Sequence, residues 1–287
     1  MVGYARYVAR DGTAFDLSDM TEPSSAGELA WDSSMYGWGW TVDDKTGAAS
    51  VASLSFDVTA YVWADKADEF ARKVYDDAAD GGGTLIVDGW SLNCIVKSGK
   101  GIKTQGGRVS LALSVIATDP TWRRITKHSL VAESGTDTST TGLDYPTDYE
   151  FDYAGTSRGS SMQQFRADVP CSVRVTFFGP CQNPYVQVTS ASGKTTSSNY
   201  YGVDASADAG ERIVIDPMGR RSVGSSVYKV GAYGERTNLF DSRRRGVEGS
   251  GSYVFATMPA GDLMVSWPQG YAVDVETIEE RGSLPWS

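Results

Sequence analysis

Any Ser–His or Cys–His nucleophilic pair in this chain would have to use His128, the single histidine among 287 residues. Such a pair works only when a third group in a buried site orients the imidazole. His128 stands beside a Ser/Thr/Gly-rich stretch, so a solvated surface histidine with no catalytic task is expected. A zinc site needs several Cys and His ligands at short spacing. Cys94, Cys171 and Cys181 are far apart, form no CxxC pair and are odd in number. So few thiols in so long a chain point away from a disulfide framework and toward folding in a reducing cytosol.

Two Gly-containing stretches invite a phosphate-loop reading. In residues 98–104 (SGKGIKT), Gly101 follows Lys100 where a Walker loop needs Ser or Thr, and the earlier glycine is missing. The run Gly81, Gly82, Gly83 follows a helical pattern instead of opening one, which makes it a cap and connector. The adjacent carboxylates Asp43–Asp44 and Asp76–Asp77 are not ready dyads. Neighbouring residues point apart on a strand and lie about 100° apart on a helix, so solvated charge is expected. Nothing resembles the DxDxDG calcium loop. Arg243, Arg244 and Arg245 are too short a run for a nucleic-acid patch, and suggest a turn contact or an ion pair across a subunit interface. The aromatic groups Tyr36–Trp38–Trp40 and Tyr145–Tyr149–Tyr153 are interface material, or platforms for sugar rings.

The elements that would carry these residues are mostly strands. Leu54, Phe56, Val58, Ala60 and Val62 alternate with polar neighbours. Val109, Leu111, Leu113, Val115 and Ala117 do the same, as do Val169, Cys171, Val173, Val175 and Phe177. Residues 84–88, 92–96, 212–216, 253–256 and 263–267 add shorter runs. Residues 65–80 break the pattern with Ala67, Phe70, Ala71, Val74 and Ala78 at helical spacing. Asp65 is the expected N-cap and Gly81 the left-handed residue that ends the helix, about 24 Å long at 1.5 Å per residue. Its single apolar stripe predicts that it lies on a sheet. Residues 134–142 (SGTDTSTTG) have no apolar period and read as a connector.

With 26 basic and 36 acidic side chains, the net charge is −10, unsuited to gripping phosphate backbones. Such a wall could still surround DNA and let it slide. The N-terminal sequence lacks the apolar core of a signal peptide, and no stretch is long enough for a membrane span.

The order of several short motifs resembles the distal tail (Dit) proteins of siphoviruses. Residues 117–122 (ATDPTW) look like the Asp-Pro-aromatic ending of that family's first domain, and residues 143–149 (LDYPTDY) like the opening of its second. Residues 210–216 (GERIVID) are similar to its G-E-x-hydrophobic-x-I-D strand. Phe255, Pro259, Gly261 and Val265 fit its Pro-Gly hairpin, and residues 279–286 (EERGSLPW) its R-x-x-x-P-W terminus.

The resemblance implies a mainly β fold: a tail-tube-like β-domain over 1–130 with the helix at 65–80, a linker over 131–142, and a galectin-like β-sandwich over 143–287. It implies a non-enzymatic virion component at the tail tip, made in the host cytoplasm and forming a homo-oligomeric ring, usually a hexamer, around the DNA channel. Its partners would be the tail tube protein above and the tail-associated hub or lysin protein below. DNA would pass without specific binding, and no cofactor, metal or catalytic residue is expected. The alternative is a carbohydrate-binding module whose second domain reads host-surface glycan. The long alternation of residues 53–62 or 109–117 is expected to supply strands to a continuous inner barrel of that ring, which would remove exposed edges.

Overall fold

Strict alternation of large apolar and small polar side chains builds strands with one face fit for a core, and most of this chain follows that rule. In the computed structural model, the residues described are 5–17, 40–42, 49–51, 54–105, 107–117, 119–131, 160–192, 195–218, 226–268 and 270–285. The chain divides into two compact units, Met1–Arg124 with Glu280–Ser287, and Ile125–Glu279. The sequence places its division at 131–142; of these residues only Val131 is among those described, and the 143–149 motif lies outside them too. The terminal segment expected to end the second domain instead belongs to the first unit from Glu280 onward.

The first unit contains β1 (Ala5–Val8), β2 (Ala14–Asp16), β3 (Trp40–Val42), β4 (Ala49–Val51), β5 (Leu54–Trp63), α1 (Ala64–Ala79), β6 (Gly83–Val87), β7 (Trp90–Gln105) and β8 (Arg108–Ala117), and ends within β9 (Trp122–Leu130). One sheet runs β9-β7-β6-β1-β2, and a second, β5-β8-β7, shares β7. The start of β7 pairs with β6, and its distal part, from Ile95 to Gln105, pairs with β8. Irregularities at Val96/Ser98 and Gly101/Lys103 add unpaired residues to β7. Such bulges bend a strand, which lets one strand serve two sheets. All strand pairs given by register are antiparallel.

Helix α1 follows β5 with no loop between them. The helix therefore starts one residue before the expected cap: Trp63 takes the N-cap position with no side-chain bond. The first helical N–H, of Ala64, donates to the Gly107 carbonyl at 2.8 Å instead. At the other end Gly81 has φ +96°, the left-handed conformation expected there. The buried face is narrower than the apolar pattern suggests, with Phe70 and Asp77 buried while Ala71 and Ala78 are exposed. Alanine contributes little area, so the large Phe70 ring sets the rotation of the helix. That ring meets Tyr7 and Phe15 edge-on, at centroid distances of 5.7 and 5.3 Å. Burying a side chain of this size stabilises by about 1.5–3 kcal/mol.

The second unit starts with the rest of β9. It holds β10 (Ser160–Ala167), β11 (Cys171–Phe178), β12 (Cys181–Gln182), β13 (Tyr185–Ser192), β14 (Thr195–Gly202), β15 (Ser206–Ala207), β16 (Arg212–Ile215), β17 (Val227–Val230), β18 (Arg236–Asn238), β19 (Thr257–Met258), β20 (Gly261–Pro268) and most of β21 (Val273–Arg281). One sheet runs β18-β17-β16-β11-β21 and the other β10-β20-β13-β14. Val173, Val175, Phe177, Ile213 and Val275 of the first share one buried cluster with Val186, Val188, Tyr201, Leu263 and Val265 of the second. This is a β-sandwich.

Two local expectations change. Residues 253–256 are not a strand: Tyr253 makes an isolated bridge to Arg245, and the next two residues turn. The segment around Pro259 and Gly261 is not a hairpin either. Strand β19 pairs with β11, whereas β20 pairs with β10 and β13, so the chain switches sheets at that corner. The final strand, whose pairing the sequence leaves open, lies antiparallel to β11 from Cys171↔Glu279 to Phe177↔Val273.

Candidate assembly surface

In the sheet β5-β8-β7, strand β8 is central. It pairs along its whole length with β5, from Leu54↔Ala117 to Trp63↔Arg108, and on its other side with β7. It therefore has no edge of its own to offer a neighbouring subunit, while residues 53–62 and 109–117 stand side by side in one sheet. The edges belong to β5 and to the distal half of β7. Among the described residues no strand pairs with the outer side of either. One backbone bond reaches β5 from that side, from Tyr61 N to the Leu17 carbonyl at 3.1 Å.

The register sorts the side chains of this sheet. Phe56, Val58, Ala60 and Val62 share the buried face with Leu113 and Val115. Ser55, Asp57, Thr59 and Tyr61 share the opposite face with Ser110, Ala112 and Ser114 of β8, and with Ser98 and Lys100 of β7. Ser55, Asp57, Ser98 and Lys100 are exposed. That face is flat and polar because serine, threonine and alanine fill its middle. Among the described residues no strand covers the outer side of β5 or of distal β7, and unpaired ladder groups are a template for another chain.

A second cluster closes the first unit. Trp90 is 2 % exposed and carries two cations on its ring, Arg124 at 4.9 Å and Arg281 at 5.3 Å from the centroid. Arg123 reaches Asp119 at 2.7 Å and Glu280 at 3.0 Å, and its carbonyl accepts from Ser91 Oγ at 2.9 Å. Burial works against the Arg123 charge, but the two carboxylates outweigh it and raise its pKa above the ordinary value. Trp122 is fully buried beside this group in sequence. The Asp-Pro-Thr-Trp motif and the terminal Glu-Arg motif are thereby tied together in one unit, although 157 residues separate Arg123 from Glu280.

The residues the sequence raises for chemistry are scattered. His128 lies on β9 and is half-buried, not solvated; its ring stacks on Phe165 at 4.2 Å, and burial lowers its pKa. Strand alternation turns it inward, a signal hidden by the polar stretch that follows. All three cysteines are free and buried, and burial pushes Cys94 and Cys171 up to about 12. No group of three potential metal ligands occurs among the described residues. Gly81 and Gly82 form the turn after α1, and Lys100 lies on β7. Asp77, expected to be solvated, is 5 % exposed and accepts from Tyr7 Oη at 2.7 Å and Arg10 N at 3.1 Å. Helix rotation, set by Phe70 seven residues earlier, brings it to the buried side.

The three arginines make turn contacts. Arg243 lies 3.7 Å over Phe240, Arg244 reaches Asp204 at 3.5 Å and lies over Tyr185, and Arg245 reaches Asp241 at 3.5 Å. Asp43–Asp44, Tyr36, Trp38 and the Tyr145–Tyr149–Tyr153 group lie outside the described residues; Trp40 belongs to β3. No described helix is long and apolar enough to cross a membrane.

No family model matches the chain, and no curated protein does. Several solved structures are similar. The Dit protein (gp 19.1) of phage SPP1 shares 11% identity at a TM-score of 0.44, over 97% of this chain and 98% of that one. Two structures of the activated phage P2 baseplate, with Ca and with Sr, each contain a chain sharing 11% identity. Their TM-scores are 0.47 and 0.48, over 98% of this chain and 99% and 100% of theirs. With identity this low and TM-scores below 0.5, the function rests on the chain's own residues.

Proposed function

We propose that this protein is a structural component of a bacteriophage tail tip, a distal tail protein and not an enzyme. The observation that carries this reading is the joining of residues 117–122 with the segment after Glu279. These two stretches, chosen from the sequence for their likeness to the same family, are bridged by Arg123, the residue after the first, which reaches Asp119 of the one at 2.7 Å and Glu280 of the other at 3.0 Å in the first unit. A motif pair that converges in space behaves as one feature and not as two accidents of composition.

In this reading the first unit forms a ring, a hexamer, around the DNA channel, joins the tail tube above and meets the hub protein below. The sandwich of the second unit, galectin-like in type, faces outward as a docking platform. A ring closes through a heterologous interface, so each subunit must offer two different complementary surfaces. The outer sides of β5 and distal β7, which no strand covers among the described residues, are two such surfaces on one sheet. Assembled virions would carry the protein at the tail tip.

Native mass spectrometry of the full chain across a concentration series tests this, alone and with tail tube protein added. A closed species near six subunits is the expected result. A chain that stays monomeric at every concentration, with the tube protein present, overturns the proposal. Retention of that monomer on a host-glycan column would then support the sugar-binding alternative.

A further inference from the structure

The two sheets of the second unit turn unlike faces outward. On β18-β17-β16-β11-β21 the outward side chains are ion-paired: Arg174 reaches Asp216 at 3.0 Å and Glu276 at 2.8 Å, and Lys127 reaches Asp274 at 2.7 Å. The sheet β10-β20-β13-β14 differs. Its register sets Tyr200, Gln187 and Ser266 in one outward row, and Ser198, Thr189 and Met264 in the next. Their neighbours along the strands, such as Val188, Tyr201 and Val265, point into the core. Neither row carries a charge, although the chain as a whole is at −10. Among the described side chains of this face the charged ones are Arg166 and Asp262, opposite each other at one end.

We propose that these two rows bind a neutral oligosaccharide, with Tyr200 as the stacking platform. The site adds a binding function to the assembly role and does not depend on it. Three observations carry it. First, Tyr200 is 38 % exposed yet held in place. Its N–H donates to the Gly251 carbonyl at 2.8 Å, and its ring meets that of Tyr185 at 6.0 Å, over which Arg244 lies at 5.1 Å. Gly202 makes room for this brace, since a Cβ there would lie 3.0 Å from both Arg244 and Tyr185. A braced, half-open ring offers an apolar face beside a polar tip, which suits the C–H face of a sugar.

Second, the polar groups beside the ring are fixed before any ligand arrives. Gln187 Nε2 donates to Ser198 Oγ at 2.8 Å, and the Ser198 and Thr189 hydroxyls lie 3.2 Å apart. Amides and hydroxyls both donate and accept, as sugar hydroxyls do. Side chains already ordered lose little freedom on binding. Third, the rows suit other ligands poorly. An anionic polymer is gripped by cations at the contact, and a protein partner by an apolar core inside a polar rim. These rows hold no cation, and Met264 is their single aliphatic side chain. The four strands span about 14 Å, room for a short oligosaccharide.

The full chain is tested on an array of neutral hexose and N-acetylhexosamine oligosaccharides, printed beside uronic-acid and phosphate-bearing ones. Retention on neutral spots is expected. The best-retained neutral oligosaccharide is then titrated by calorimetry against variants whose fold is checked by far-UV circular dichroism. Tyr200→Ala should weaken binding by about tenfold or more, because the stacking ring is gone. Tyr200→Phe keeps the ring and should stay within about threefold. Tyr233→Ala, at a hairpin tip that is 98 % exposed and outside these rows, should change nothing.

No retention, retention on the charged spots alone, or a Tyr200→Ala chain that binds as tightly as the unaltered one overturns the site. If no glycan is retained and Tyr200→Ala instead abolishes binding to purified hub protein, the face docks protein and the proposal fails. Native mass spectrometry of the same chains keeps the two readings apart. Rings without glycan binding remove this inference alone, whereas glycan binding without rings leaves it standing while the assembly reading fails.

Discussion

Tyr7 on β1 donates its hydroxyl to Asp77 on α1 across 2.7 Å, joining residues seventy positions apart beneath the first unit's helix. Burial first, and then the Asp77 carboxylate, raise the Tyr7 pKa, so the hydroxyl keeps its proton and its role as donor. Asp77 takes a second bond from Arg10 N, and its carbonyl caps the turn that follows through Gly82 N at 2.7 Å. A buried carboxylate held this way fixes where the helix sits on the sheet.

Tyr7→Phe should therefore destabilise the unit by about 1–3 kcal/mol, the cost of leaving a buried polar group without its partner. Asp77→Ala should cost a similar amount. The double variant should lose less than the sum, because the two side chains share one interaction. Urea unfolding followed by tryptophan fluorescence measures all three. Additive losses would mean that the bond contributes nothing to stability.

The three thiols make a second test. Cys94 and Cys171 are 3 % and 0 % exposed, and burial pushes both up to about 12 from 9.0. Neither should react with a disulfide reagent at pH 8 in the folded protein, whereas all three should react once urea unfolds it. The same shifts set a pH window. Both thiols stay protonated when folded but ionise near pH 9 when unfolded. Their stabilising contribution is thus complete below pH 9 and is lost between pH 9 and 12. Unfolding midpoints measured over that range should fall, and replacing Cys171 by Ala should flatten part of the decline.

His128 gives a test at the acid end. Burial, where the ring stacks on Phe165, favours the neutral imidazole and lowers the pKa from 6.5. The unfolded chain takes up the proton first as pH falls below 6.5, so this group stabilises fold only above that value and increasingly opposes it below. As the single histidine it gives one imidazole signal in a proton NMR titration. A midpoint below 6.5 is expected. A midpoint at or above 6.5 would place the ring in water.

What could be read from the sequence was what repeats locally. The alternation through Phe56 and Val58, through Val173 and Val175, and the helical spacing around Phe70 each report a face within one element, and those elements are present. The buried state of Asp77 could not be read, because it depends on Tyr7 arriving from another strand. The Arg123–Glu280 contact was equally hidden, since no period links residues so distant. His128 was misjudged for a related reason: its polar neighbours in sequence are not its neighbours in space. The candidate edges were half legible. Both β5 and β8 alternate cleanly, but only pairing order shows that β8 is central.

The turn after α1 separates two effects of glycine. Gly81 and Gly82 both have left-handed backbones, with φ of +96° and +94°. A Cβ on Gly81 would meet nothing closer than Arg10, at 3.9 Å, whereas one on Gly82 would lie 2.1 Å from the Cys94 carbonyl oxygen and 2.9 Å from Ile95. Gly81→Ala should cost only the backbone term, about 1–2 kcal/mol. Gly82→Ala adds a clash with backbone that cannot swing aside, and it pulls on the Gly82 N–H bond to the Asp77 carbonyl. Its loss should exceed that of Gly81→Ala by more than about 1 kcal/mol, in the range of the larger single substitutions. Thermal unfolding of the two variants side by side decides this. Equal losses would show that the turn relaxes around the new methyl group, and that the close approach of Gly82 to β7 does not hold the helix to the sheet.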